Sequence, residues 1–186
     1  MIYILTGVAK AGKTYVANMI RKEKGLSVFS SDYLMMAVAK GDPSLGLKPD
    51  SDDDEIVAKI LEPFLLGMIN AMAENGVEIV LEGVHFYPEF LNKLVQKHPQ
   101  SIKVCILGYA EMDTSKKVQE LKDFLPMMEN PWYAHYSDEL LQQLVDFLKG
   151  VSQRLRKEAK MYQLSYVEVS DIARQAPEII ATMFEQ

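Results

Sequence analysis

A chain of 186 residues, 48% hydrophobic and 25% charged, has the size and balance of one globular domain that can bury a full core. Its net charge of −6 and pI near 5.1 exclude the basic face of a general nucleic-acid binder. The single Cys105, set in the apolar run Val104-Cys105-Ile106-Leu107, excludes a disulfide framework and suits a reducing, cytoplasmic setting.

Ile2-Tyr3-Ile4-Leu5-Thr6 predicts a short buried strand that leads straight into Gly7-Val8-Ala9-Lys10-Ala11-Gly12-Lys13-Thr14. This is a G-x-x-x-x-G-K-T loop with a helix opening at Lys13. Its glycines let the backbone curl around an anion, and the helix aims its first free N–H groups at that anion. The backbone amides of residues 9–14 are therefore expected to cradle the β-phosphate of a nucleoside triphosphate, within a nucleotide-binding stretch from Gly7 to Tyr15. Lys13 is expected to reach the β/γ oxygens, and the Thr14 hydroxyl to hold Mg²⁺. A strand at the very start leaves no room for a signal peptide, and no apolar run is expected to serve as a membrane span.

Thr14 to Lys24 continues as a helix, with Val16, Ala17 and Ile20 inward, and Gly25 ends it. Leu26 to Ser30 is a second strand that stops at Ser31-Asp32. A carboxylate there stands where open α/β sheets place ligand chemistry. Asp32 has two readings. It orients or deprotonates an acceptor hydroxyl, or it caps the short helix from Leu34 to Ala39. Lys40 to Asp50 reads as a loop from its Gly, Pro and Asp content.

In the acidic run Ser51-Asp52-Asp53-Asp54-Glu55, Asp52 and Glu55 have capping-box spacing. The alternative is that one of these acids contacts a substrate hydroxyl or amine. The helix that follows runs to about Glu74, with Ile56, Ile60, Phe64, Met68 and Met72 spaced by four. Val57, Leu61, Leu65 and Ile69 lie beside them, so both rows are expected to form one wide buried stripe, and Pro63 is expected to kink the helix. Val77 to Leu81 is the third strand and ends in Glu82-Gly83-Val84-His85. Pro88 opens a helix that closes at His98-Pro99, and Ile102 to Leu107 is the fourth strand. From Gly108 to Tyr136 periodicity fails, which predicts a mobile lid, partly helical around Lys116 to Phe124. Ser137 caps a long helix, Ser165 to Val169 is the fifth strand, and Pro177 to Phe184 closes the chain.

Strands alternating with helices imply a three-layer α/β/α sandwich around a five-stranded parallel sheet, in a single domain over 1–186 with the lid at 108–136. Phosphoryl transfer also asks for a metal, an oriented nucleophile and positive charge over the transferred group. Glu82, at the end of the third strand, is expected to support Mg²⁺, commonly through a water; otherwise it is a strand-end acid bonded to backbone. His85 touches phosphate or substrate, or is a hydrogen-bonded structural histidine. Cations are scarce: the arginines are Arg21, Arg154, Arg156 and Arg174, and the lid has Lys116, Lys117 and Lys122 but no arginine. Arg154 is the candidate catalytic cation, against the alternative of a solvated helix face.

With GVAKAGKT, Ser30-Ser31-Asp32 and Leu81-Glu82-Gly83-Val84-His85 in place, the chain resembles the P-loop kinases. Among them it is most similar to small proteins grouped around 2-phosphoglycerate kinase, zeta-toxin-like kinases and adenylate-kinase-like ATPases. The motifs carry the resemblance through the third strand, and the order of elements carries it beyond. It implies a P-loop NTPase of nucleotide-kinase type that uses ATP and Mg²⁺. Lys13, Thr14 and the loop glycines would bind nucleotide, Asp32 would be the acceptor-side aspartate, and Glu82 would take the Walker B position. The absence of an arginine-rich lid tells against nucleoside monophosphates as acceptors. Asn92-Lys93 is followed by Leu94-Val95, so no guanine-reading NKxD motif arises there. The expected function is ATP-dependent phosphoryl transfer to a small-molecule acceptor. The alternative is a regulatory ATP-binding or ATP-hydrolysing protein without such an acceptor.

Overall fold

A computed structural model describes residues 1–49, 53–127 and 131–185. Strands β1 (Ile2–Gly7), β2 (Val28–Ser30), β3 (Ile79–Gly83), β4 (Ile102–Gly108) and β5 (Tyr166–Glu168) pair in the order β2-β3-β1-β4-β5, parallel throughout. The central strand β1 is buried along its whole length, as a strand covered on both faces must be. The edge strands β2 and β5 are three residues each and only half-buried. The helices are α1 (Lys13–Lys24), α2 (Ser31–Gly41), α3 (Asp54–Glu74), α4 (Pro88–Lys97), α5 (Thr114–Phe124), α6 (Asp138–Met161) and α7 (Ile172–Glu185). Helix α1 packs against α7, α4 packs against α6, and both pairs rest on the sheet, giving the α/β/α sandwich.

Register brings the chemistry to one edge. Leu5 and Ser30 both align with Glu82, and Thr6 aligns with Gly83. The carboxyl ends of β1, β2 and β3 therefore finish level, at the mouth of the phosphate loop.

Several element ends differ from expectation, each for a local reason. Helix α2 starts at Ser31 rather than Leu34 because the Ser30 side chain accepts from the Asp32 N–H at 3.4 Å. Ser30 is therefore the cap, and Asp32 stands in the first turn. Helix α3 is capped by Asp53, which accepts from the Glu55 N–H at 2.8 Å; Ser51 and Asp52, and with them the expected capping box, lie outside the described residues. Helix α7 begins before Pro177, with Asp171 accepting from the Arg174 N–H at 3.1 Å.

The buried face of α3 is the row Val57, Leu61, Leu65 and Ile69. Ile56 and Phe64, expected to share it, are 51% and 42% exposed. Pro63 lies within a helix that is continuous from Asp54 to Glu74. Contrary to expectation, α3 is long and apolar enough by composition to cross a membrane, although one face of it belongs to the core. In the expected lid region, Leu121 and Tyr133 form a small second cluster with Leu141 and Val145 on α6.

Candidate active site

The loop between β1 and α1 takes its shape from two backbone positions in the left-handed region, Lys10 (φ 63°) and Gly12 (φ 90°). At Gly12 a Cβ would come within 2.4 Å of the Ile172 side chain, so glycine is required both by φ and by the close approach of α7. Lys13 opens α1 and folds back over the loop, where its Nζ donates to the Val8 carbonyl at 2.8 Å. Burial lowers its pKa to about 8 against the opposing pull of Glu82, Asp32 and Asp54. A buried ammonium whose hydrogen-bond partner is a carbonyl is a cation prepared for an anion.

Thr14 follows, exposed, with its hydroxyl 3.4 Å from Glu82 Oε2, while Glu82 itself is 6% exposed. A hydroxyl and a carboxylate at this spacing are hard oxygen donors of the kind Mg²⁺ accepts while keeping waters and phosphate oxygens as its other ligands. The residues present fit a Mg²⁺-nucleotide. Tyr15, one position on, is 47% exposed.

Beside this stands a second polar group. Ser31 Oγ lies 2.7 Å from His85 Nδ1, both side chains buried, and Asp32 Oδ1 is 3.9 Å from the same nitrogen. The packing needs Gly83 (φ 152°), since a Cβ there would sit 1.8 Å from Ser31 Oγ. Burial pushes the His85 pKa down, against Asp32, so the imidazole is neutral near pH 7. Asp32 is 65% exposed and open to a ligand. Asp54, at the start of α3, belongs to the same concavity. It keeps an exposed surface yet is crowded by protein, and this crowding raises its pKa against the attraction of Lys13. Within the acidic run it is the Asp54 carboxylate whose charge reaches Lys13.

The region after β4 reaches the loop through groups that periodicity did not reveal. The Tyr109 hydroxyl donates to the Ala9 carbonyl at 2.9 Å. Lys117 on α5 is buried, pairs with Glu120 at 2.7 Å and lies 4.7 Å from the Tyr109 ring. Lys10 Nζ lies 4.7 Å from the Tyr133 ring and 5.3 Å from the Trp132 ring. The run Trp132-Tyr133-Ala134-His135-Tyr136 was the available signal, but nothing in it names its partner. Arg154 sits elsewhere, in the wall of a cavity beside His85, with Nη1 2.9 Å from Glu55 and its guanidinium 5.7 Å from the Tyr87 ring. A larger hollow of about 410 Å³ lies beside Met1, Ile102 and Ser165, at the amino ends of β1, β4 and β5. It has none of these groups and stands at the wrong end of a parallel sheet for ligand chemistry.

A parallel sheet with a phosphate loop after its first strand and a Thr–carboxylate pair beside it defines the P-loop kinase class. Residues 1–121 match the family model of the chloramphenicol phosphotransferase-like proteins, and the chain belongs to that family. It is a phosphotransferase of the small-molecule P-loop kinase type. No curated protein matches it. Among solved structures, a shikimate kinase from Bacteroides thetaiotaomicron is similar at 16% identity and a TM-score of 0.58, covering 100% of this chain and 99% of that one. A gluconokinase from Sinorhizobium meliloti 1021 is similar at 18% identity and TM-score 0.59, covering 98% and 93%. A shikimate kinase from Acinetobacter baumannii, solved in complex with shikimate, gives 17% and 0.58 over 99% and 93%. At these identities the likeness is one of fold.

Proposed function

We propose that the protein transfers the γ-phosphoryl group of Mg²⁺-ATP to a hydroxyl of a small molecule. The observation that carries this reading is the joint placement, at one end of the sheet, of the Lys13 loop, the Thr14–Glu82 pair and an open carboxylate, Asp32, with a cavity beside it. ATP supplies the phosphoryl group and Mg²⁺ the neutralisation of its charge. Gly7 to Tyr15 would bind the nucleotide, Lys13 would pair with the β/γ oxygens, and Thr14 and Glu82 would hold the metal.

Asp32 aligns the acceptor hydroxyl. As the acceptor oxygen–phosphorus bond forms, the bond to the β,γ-bridging oxygen breaks and ADP leaves with that electron pair. The hydroxyl proton passes to Asp32. Lys10, in the phosphate loop beneath the Trp132 and Tyr133 rings, supplies the positive charge that a lid arginine would give, while Lys117, paired with Glu120, packs the lid segment against Tyr109. Arg154 serves the acceptor cavity. We also propose that 1–186 acts as one domain with a lid at 108–136, and that it works in the cytoplasm as its free, buried Cys105 suits.

The rival reading, a switch that hydrolyses ATP without an acceptor, leaves the cavity beside His85 without a use. Release of ADP from Mg²⁺-ATP, measured across a library of small hydroxyl compounds, tests the proposal. A kinase accelerates at least tenfold with its acceptor, and a constant rate across the library supports the switch.

A further inference from the structure

Tyr109, the residue after β4, is fully buried, and its hydroxyl donates to the Ala9 carbonyl of the phosphate loop at 2.9 Å. The two residues are 100 positions apart, so the contact exists only through the fold. Further contacts fix the residue that carries the hydroxyl. The Tyr109 backbone N–H donates to Ser152 Oγ on α6 at 3.2 Å, and Ser152 is itself buried. The Lys117 ammonium lies 4.7 Å from the centre of the ring and pairs with Glu120 at 2.7 Å. Burial, helped by Glu120, pushes the Tyr109 pKa up, so the phenol stays an O–H donor at physiological pH.

What this donor holds is the Ala9–Lys10 peptide. No described peptide bond is cis, so the Ala9 carbonyl and the Lys10 N–H point to opposite sides of one plane. Pinning the carbonyl toward Tyr109 therefore also fixes the direction of the Lys10 N–H. Lys10 stands in the left-handed region at φ 63°, a conformation that a side chain disfavours and that lasts only where the surroundings enforce it. The preceding carbonyl, of Val8, is held from within the loop, by Lys13 Nζ at 2.8 Å and the Ala11 N–H at 3.4 Å. The Tyr109 bond instead ties the loop to the body of the protein. A flip of this peptide would set a carbonyl oxygen against the phosphates in place of an N–H donor.

We propose that Tyr109 is a positioning residue for phosphate binding: its hydroxyl holds the Ala9–Lys10 peptide with the Lys10 N–H turned to the β-phosphate. It touches no phosphate itself. The inference rests on the proposed reading of the loop as a nucleotide site, and names the residue that sets one of its donors. Because Lys117 and Glu120 belong to α5, the same tyrosine connects the lid segment to the loop.

Tyr109→Phe removes the hydroxyl and keeps the ring. Calorimetry with Mg²⁺-ADP on the full chain should show binding weakened about tenfold or more, the scale of one hydrogen bond to a charged group. Leu94→Ala, a core substitution on α4, should lower the melting temperature and leave that affinity within about twofold, which tells lost stability from lost positioning. Amide NMR spectra at saturating Mg²⁺-ADP give the direct readout. In the parent chain the Lys10 amide proton should move strongly downfield as it gains an anionic acceptor, and in Tyr109→Phe roughly half or more of that shift should be lost. Equal affinity in parent and Tyr109→Phe, an equal Lys10 shift in both, or a matching loss of affinity in Leu94→Ala overturns the inference. So does an unmoved Lys10 amide in a parent chain that binds Mg²⁺-ADP, whether or not the variant folds. A parent chain that does not bind Mg²⁺-ADP overturns the nucleotide reading itself, and the positioning role with it.

Discussion

Lys13 carries the largest electrostatic strain at the site, and its pKa of about 8 has two consequences. Holding the ammonium buried and charged at pH 7 costs on the order of 3 kcal/mol of folding free energy, from the size of that depression. The depressed value means that the folded chain binds fewer protons than the unfolded chain between about pH 8 and the ordinary lysine range. The penalty is therefore complete below pH 8 and fades as pH rises through that window. Lys13→Met should raise the melting temperature of the ligand-free protein at pH 7, with the gain shrinking toward pH 10, while removing most of the stabilisation by Mg²⁺-ATP. Thermal melts across pH read both effects. In the parent protein, phosphate oxygens raise the Lys13 pKa, so nucleotide affinity should hold to about pH 8 and then weaken as pH rises. Calorimetry in buffers of different ionisation enthalpy should show proton uptake on binding near that pH. PH-independent affinity between 7 and 9.5 would remove Lys13 from the phosphate site.

The roles proposed for Asp32 and Glu82 go with their different exposure. Glu82 is buried against Thr14, whereas Asp32 is open. Glu82→Gln should weaken the Mg²⁺ dependence and turnover while sparing acceptor affinity. Asp32→Asn should spare ATP binding and cut acceptor phosphorylation by roughly 10²–10⁴-fold, the scale of a positioned general base. Most of that loss reflects positioning, because little deprotonation is needed early in a dissociative transfer. Since Ser30, not Asp32, caps α2, normal turnover of Asp32→Asn would leave that carboxylate without a role.

At the scale of elements, the described residues on either side of 128–130 are tied to the phosphate loop. Tyr109 bonds to Ala9, and the Trp132 and Tyr133 rings lie over Lys10. Lys10 cannot hold both rings and a phosphate at full strength, since each contact uses the same ammonium. Trp132 is the only tryptophan in the chain and is half-exposed, so it reports this competition directly. Mg²⁺-ATP should change its fluorescence, and Lys10→Ala should abolish most of the change. Hydrogen exchange over α5 and residues 131–136 should slow when nucleotide and acceptor bind together. Unaltered fluorescence and exchange would leave the segment a fixed wall, not a lid.

At the scale of the molecule, the three-layer core and the site are coupled through α3, whose row of Val57, Leu61, Leu65 and Ile69 is buried directly behind Asp54. Leu61, fully buried, should cost about 2–5 kcal/mol on substitution by alanine. Ligand binding works in the opposite direction. At a hundredfold excess over Kd it stabilises by about 2.7 kcal/mol, or roughly 5–11 °C for a chain of this size. Saturating Mg²⁺-ATP should therefore recover part of the melting temperature lost in Leu61→Ala, and much less of it in Leu61→Ala combined with Lys13→Met.

The sequence by itself determined the strand–loop–helix that binds phosphate, the alternation of elements and the carboxylates at two strand ends. Each is a local pattern: glycines at required turns, a hydrophobic period, a polar residue where a buried strand stops. It made the stripe on α3 too wide, because Ile56 and Val57 are equally apolar and only the packing of the other layers buries the row of Val57 and leaves Ile56 and Phe64 part-exposed. It also left open where Asp54, Lys117, Trp132 and Arg154 point. Those side chains meet the loop or the cavity across long stretches of chain, through burial and charge that exist only once β3, β4 and α6 have come together. Tertiary structure alone decided that Arg154 faces glutamates beside His85 rather than the phosphate loop, because an arginine's partner is set by which carboxylates the fold brings within reach.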